Sequence, residues 1–227
     1  MVNYENLQNH IVEFLKSNHL WHRAVSIDIE ADLRTLDDPE KIILSISTAR
    51  RVNNRIDIKN FIVEEETPEE EIKIFNEFGS FCEEVRPLVL VGFGNSRFDI
   101  PLLLLKMRRL DNLFKQNGIY QSGYWAFRDA LTRSYILDVI NPVRFAIADY
   151  DNTNPKFVSL DFALKHPRFR HLPFKNSKGI VSKVEGDKWE IIHDLWKKDR
   201  RKFEQYIEGD VHDTLLLAED IFKINGE

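Results

Sequence analysis

A chain of 227 residues that is 43% hydrophobic, with sixteen Phe and four Trp, has the material for one folded domain and is not a disordered segment. Its longest apolar run, Ile100–Leu105, falls far short of the ~18 residues a membrane-spanning helix needs, and the single cysteine, Cys82, excludes an internal disulfide or a cysteine-rich zinc site. The formal net charge of −5 hides an asymmetry, because Lys165–Lys202 carries twelve Lys+Arg against five Asp+Glu and leaves the remainder at −12.

The N-terminus, Met1-Val-Asn-Tyr-Glu-Asn, lacks a basic stretch followed by an apolar core, so no secretory signal is expected, and the lone cysteine suits a reducing, cytoplasmic setting. Leu7, Ile11, Phe14 and Leu15 recur at helical spacing, which predicts an N-terminal helix within residues 1–20. Arg23–Glu30 alternates, with Val25, Ile27 and Ile29 on one face and Ala24, Ser26, Asp28 and Glu30 on the other, and reads as a strand. Lys41–Ala49 and Arg55–Val63 are also rich in β-branched residues, and Asp37-Asp38-Pro39 and Val52-Asn53-Asn54 supply turns for an antiparallel meander.

The period then changes. Thr67-Pro68-Glu69-Glu70 combines a capping Thr, Pro at the first helical position and Glu three residues after the cap, and the helix it opens ends before Pro87. Leu88–Val91 is short and wholly apolar, as expected of a strand buried on both faces. A helix from Asp99 to about Leu110, a strand over Ser134–Val139 ended by Asn141-Pro142, and a capped helix start at Ser159–Lys165 follow. Helices near Asp187–Lys198 and Arg200–Phe222 close the chain. With no internal repeat and no linker-like tract, the order predicts a single α/β domain over 1–227.

Three groups of residues could carry chemistry. Asp28 and Glu30 share one face of a strand about 6–7 Å apart, a spacing that suits a hard divalent cation but taken alone more often marks a solvated strand end; their place on the polar face of an otherwise apolar strand strengthens the cation reading. Asp99 follows a buried strand by one turn, where it can cap a helix, hold a ligand in the crevice beyond the strand, or do both. Tyr206 and Asp210 lie four apart on one helix face that Thr214 and Leu217 continue, with Asp213 one turn on as an alternative or supporting group. Other motifs fail: Arg97 breaks the dinucleotide fingerprint after Gly92-x-Gly94, and the β-rich first third argues against a helical phosphohydrolase built on His193-Asp194 and His212-Asp213.

Ser26-Ile-Asp28-Ile-Glu30, Gly92-Phe-Gly-Asn-Ser-Arg-Phe98-Asp99-Ile-Pro101 and Tyr206-Ile-Glu-Gly-Asp210 occur in the order of the three exonuclease motifs of the DnaQ-like DEDD superfamily. Tyr206 marks the Tyr-containing branch, since the His branch would want His where Gln205 stands. The middle motif, continued by Leu102 and Leu103, is most similar to the proofreading exonuclease domain of B-family DNA polymerases, and Ser159-Leu160-Asp161 resembles a segment preceding the third motif there. The likeness runs over roughly residues 23–222. Gly94 stands where those domains commonly have Asn, with Asn95 one place later, and Ala31 replaces a common Thr.

The resemblance implies an RNase H-like five-stranded mixed sheet flanked by helices, with two Mg²⁺ or Mn²⁺ ions held by Asp28, Glu30, Asp99 and Asp210. It implies removal of nucleoside 5′-monophosphates from a 3′ end, Tyr206 orienting the attacking water. Substrate contacts are expected from Asn95 and Phe98, and from Lys197, Lys198, Arg200 and Arg201 in the basic strip that would guide a single strand. The expected substrate is single-stranded DNA ahead of RNA; the alternatives are an RNase that trims 3′ ends and a silent nucleic-acid-binding module. At this length the expectation is a freestanding exonuclease or a subunit supplying that activity, with homo-oligomerisation or association with replication and repair proteins left open.

Overall fold

The computed structural model describes residues 4–31, 41–117, 122–182, 184 and 186–224. The anticipated turn at Asp37-Asp38-Pro39 lies outside them. A five-stranded sheet in the order β3-β2-β1-β4-β5 organises the chain, built from β1 (Ala24–Ala31), β2 (Ile43–Val52), β3 (Arg55–Ile62), β4 (Val89–Gly92) and β5 (Tyr135–Asp138). The β1/β2 and β2/β3 pairs are antiparallel and the β1/β4 and β4/β5 pairs parallel, which makes the mixed sheet of an RNase H-like fold.

Local chemistry explains the meander. Val52 pairs with Arg55 around a two-residue turn whose Asn53 and Asn54 have φ of 46° and 63°. Both central residues therefore adopt the left-handed conformation of a tight hairpin, which Asn tolerates better than other non-glycine residues. Helix α1 (Tyr4–Ser17) precedes the sheet. Helix α2 (Pro68–Val85) begins as the capping motif predicts, with the Thr67 hydroxyl accepting the Glu70 N–H, and ends at Arg86 in a left-handed conformation.

Beyond β4 come α3 (Asp99–Asn117) and α4 (Ser122–Arg133), and after β5 come α5 (Ile140–Asp151) and α6 (Leu160–Lys165). Helix α4 was not anticipated. Asn141-Pro142 ends the strand as expected but also sits in the first turn of α5, where proline's missing N–H is not needed. Helices α7 (Gly179–Ser182), α8 (Lys188–Lys198) and α9 (Arg200–Ile221) complete the chain.

The sheet is covered on both faces. Val25, Ile27 and Ile29 pack with Phe75 and Phe78 of α2 and Phe127 of α4, and α2 approaches α4 so closely that a Cβ on Gly79 would lie 1.6 Å from the Gly123 carbonyl oxygen. Ala24, Val89 and Val91 pack with Val211 and Leu215 of α9 and with Val12 and Leu15 of α1. Helix α9 crosses β1, β2, β3 and β4, so the face holding Ser26, Asp28 and Glu30 is not the solvated strand face that alternation allowed. Among the described residues no helix is long and apolar enough to cross a membrane.

Candidate metal centre

The sheet register creates the site. The β1/β4 pairing stops at Ser26 opposite Val91, so Asp28 and Glu30 run past the end of β4 into a notch. A register shift between Glu30 and Ala31 bends the strand there. Helix α9 supplies Asp210 from above, and one carboxylate oxygen from each of Asp28, Glu30 and Asp210 lies within 4.8 Å of the others.

Three carboxylates so close repel one another. Burial, and then Asp210, push the Asp28 carboxyl from its ordinary 3.8 to about 7, against the opposing pull of Lys178 and Lys188. Burial and the Asp28 charge push Glu30 from 4.5 to about 8. Asp210 is also raised, chiefly by burial, although Lys178 draws it down. Its Oδ1 is buried with no hydrogen-bond partner. An all-oxygen donor set with an orphaned carboxylate oxygen fits a hard divalent cation of the Mg²⁺ or Mn²⁺ kind.

Asp99, the first residue of α3, lies outside the three-carboxylate group yet feels its charge. Burial raises its carboxyl well above the usual range, and Asp28, Glu30 and Asp138 raise it further. Asp138 at the end of β5 holds the turn that delivers Asp99, accepting the N–H groups of Gly94 (2.9 Å) and Ser96 (3.3 Å) and the Ser96 hydroxyl. A strand-end Asp beside the crevice is a legible signal that the sequence reading did not use.

Sequence reasoning also missed Lys178. Its ammonium donates to Asp210 Oδ2 and, at 3.0 Å, to the phenol oxygen of Tyr206. Tyr206 is fully buried, and burial followed by the Asp210, Glu30 and Asp28 charges holds its phenol well above 10. Asp213 does not join the carboxylates. It accepts the N–H groups of Lys175 and Asn176, both at 2.8 Å, and so pins the segment leading to Lys178. The Ser177 hydroxyl donates to the Tyr206 carbonyl at 2.9 Å, and Gly209 makes that approach possible, since a Cβ there would lie 1.8 Å from Ser177 Oγ. Nothing in the sequence marked Lys178 apart from its membership of the basic strip.

The expected substrate residues are dispersed. Phe98 precedes Asp99 and is 46% exposed, whereas Asn95 is fully buried against Gly92 with both ends of its amide unpartnered. Arg200 donates to the Val63 carbonyl (3.2 Å) and to Glu64 (3.3 Å) just past the end of β3, and Lys198 pairs with Asp194 at 2.8 Å. Lys197 and Arg201 are exposed, and Lys197 lines a hollow with Glu64, Glu65 and Glu66. The β3 end lies two strands from Glu30, since Ile62 pairs with Ser45 and Ser45 with Glu30, so this basic group and the carboxylates are separate features of one end of the sheet. The histidines hold structure instead: His166 contacts Asp151 at 3.0 Å, His193 contacts Glu66 at 3.0 Å, and His212 contacts Asp213 at 2.7 Å.

No family model matches the sequence, and no curated protein matches it. Among solved structures the chain is similar to the family B DNA polymerase from the hyperthermophilic archaeon Pyrobaculum calidifontis, with 19% identity, a TM-score of 0.50 and 87% of this chain covered. The chain spans about a quarter of that polymerase, 24% of its length. At that identity the likeness is one of fold, and it agrees with the five-stranded mixed sheet seen here.

Proposed function

We propose that this chain is a metal-dependent 3′–5′ exonuclease that releases nucleoside 5′-monophosphates from single-stranded DNA ends. The observation that carries the reading is the convergence of Asp28, Glu30 and Asp210 within 4.8 Å, with Asp210 Oδ1 buried and unpartnered, at the open end of an RNase H-like sheet. The fold-level likeness to a DNA polymerase and the order of the three sequence motifs support it further.

Asp28, Glu30 and Asp210, with Asp99 beside them, are the residues that would hold Mg²⁺ or Mn²⁺, and two ions are the proposed complement. When bound, such ions activate water and neutralise charge that builds on the phosphate and on the departing 3′ oxygen. In the reaction a water oxygen bonds to phosphorus and gives up a proton, and the bond from phosphorus to the 3′ oxygen breaks. That oxygen takes up a proton to become the new 3′ hydroxyl, leaving the phosphate on the released nucleotide's 5′ oxygen. Tyr206 is proposed to orient the water. Its raised pKa keeps the phenol protonated, and the Lys178 ammonium on the phenol oxygen leaves the O–H as a donor, so Tyr206 acts as a hydrogen-bonding group and not as a base.

Phe98 offers an exposed ring beside Asp99 on which the terminal base can stack, and Lys197 and Arg201 offer charge for the phosphodiester backbone. A reducing intracellular compartment belongs to the same reading, with the one cysteine buried. The test uses end-labelled single-stranded DNA and RNA of one sequence, each with Mg²⁺ and with EDTA. Mg²⁺-dependent release of 5′-mononucleotides from DNA ahead of RNA is expected; faster RNA trimming would move the substrate to RNA, and no release from either would refute the activity.

A further inference from the structure

Lys178 does more than steady Tyr206. Its ammonium contacts Asp210 Oδ2, stands 3.0 Å from the Tyr206 phenol oxygen and 4.8 Å from that ring's centroid, and its side chain is only 15% exposed. The segment carrying it is clamped to α9 at two points, by Asp213 on two backbone N–H groups and by Ser177 on the Tyr206 carbonyl. Asp28 and Glu30 have no hydrogen-bonding or ion-pair partner among the described residues, so Lys178 is bonded to one member of the carboxylate group and only near the other two. That one member is Asp210, whose second oxygen is the orphan.

An ammonium and a divalent cation on one buried carboxylate repel each other strongly, because water screens little at such short range. Lysine's flexible four-carbon stem can move its charge without moving the backbone. We propose that Lys178 is a tethered counter-ion for Asp210 that a divalent cation must displace before all three carboxylates can engage it, so that loading of the site is gated by this lysine. The proposal rests on the reading of the carboxylates as a metal site. Lys178 thereby neutralises the carboxylates when no ion is held and sets a threshold of divalent concentration for occupancy.

Two measurements on the full chain test it. Calorimetric titration with Mn²⁺ should give binding about tenfold tighter or more for Lys178→Met than for the unaltered protein, and Lys178→Gln should shift the same way. Amine acylation of the unaltered protein, read by peptide mass mapping, should find Lys178 protected in EDTA and labelled several-fold faster in saturating Mg²⁺. That second measurement decides the matter alone if the variants do not fold. Mn²⁺ binding with unchanged Lys178 labelling, or variants that bind no tighter, would overturn the gate and leave the metal site standing. Absence of Mn²⁺ binding in every form would remove the metal site and the gate together.

Discussion

Replacing Asp28 by Asn should stabilise the metal-free protein, and increasingly so as pH rises. The Asp28 carboxyl moves from 3.8 to about 7 on folding, driven first by burial and then by Asp210. A carboxyl with a raised native pKa binds more protons folded than unfolded, so its contribution is fully present below about pH 4 and is lost as pH climbs to about 7. A rise of roughly three units corresponds to about 4 kcal/mol at ~1.4 kcal/mol per unit. Asp28 is only partly shielded from solvent, and screening leaves about half of that, ~2 kcal/mol. For a chain of this size ~2 kcal/mol moves the melting temperature by roughly 4–8 °C. Thermal melts in EDTA from about pH 4.5 to about pH 8 should therefore find a gap between Asp28→Asn and the unaltered protein that widens up to about pH 7 and then levels. Saturating Mg²⁺ should reverse the order, because only the unaltered site keeps its full set of charged ligands. A gap that is constant or narrows with pH, or an Asp28→Asn protein less stable than the parent at pH 8 in EDTA, would refute the electrostatic account.

Tyr206→Phe should lower turnover by ~10²–10³-fold with little change in substrate binding, and Asp210→Asn should be worse, because it removes a metal ligand; steady-state kinetics on a labelled oligonucleotide read both. Lys106 is buried against Glu71 at 2.9 Å, and Glu71 also accepts the Ile43 N–H at the start of β2. Lys106→Met should cost about 3–5 kcal/mol in a denaturant titration by leaving the Glu71 charge unpaired, and Lys106→Met with Glu71→Gln should recover much of it. Neutralising Lys197, Lys198, Arg200 and Arg201 should flatten the salt dependence of single-strand binding by about 0.7 in log–log slope for each phosphate no longer neutralised, and an unchanged slope would make the strip a solvated face.

Where local chemistry decides structure, the sequence was readable. The Asn53-Asn54 hairpin, the Thr67 cap of α2 and the apolar run that became β4 each stand where short-range signals put them. Spacing within one strand or one helix left Asp28, Glu30 and Asp210 as separate candidates; it was the order of the three motifs that grouped them, with Asp99, and the structure brings the first three within 4.8 Å. What alternation could not tell was that the Asp28 face lies under α9, because the pattern within one strand does not reveal what covers it. Asp138 and Lys178 were missed for a related reason. Each acts through a contact distant in sequence, Asp138 across 44 residues to Gly94 and Lys178 across 32 to Asp210, and neither partner is implied by local spacing. Asp213 shows the limit from the other side: its place one turn from Asp210 allowed a role at the metal, but its two backbone hydrogen bonds give it the task of holding the Lys178 segment.

The proposed exonuclease activity requires that the converging carboxylates of β1 and α9 be needed for hydrolysis at a 3′ end. A 5′-labelled single-stranded DNA incubated with the unaltered protein and with Asp210→Asn, each in Mg²⁺ and in EDTA, tests it most directly. A ladder shortening one nucleotide at a time, with release of nucleoside 5′-monophosphates, is expected only for the unaltered protein in Mg²⁺. A ladder that persists in EDTA, or that a folded Asp210→Asn protein produces at the parent's rate, would contradict it.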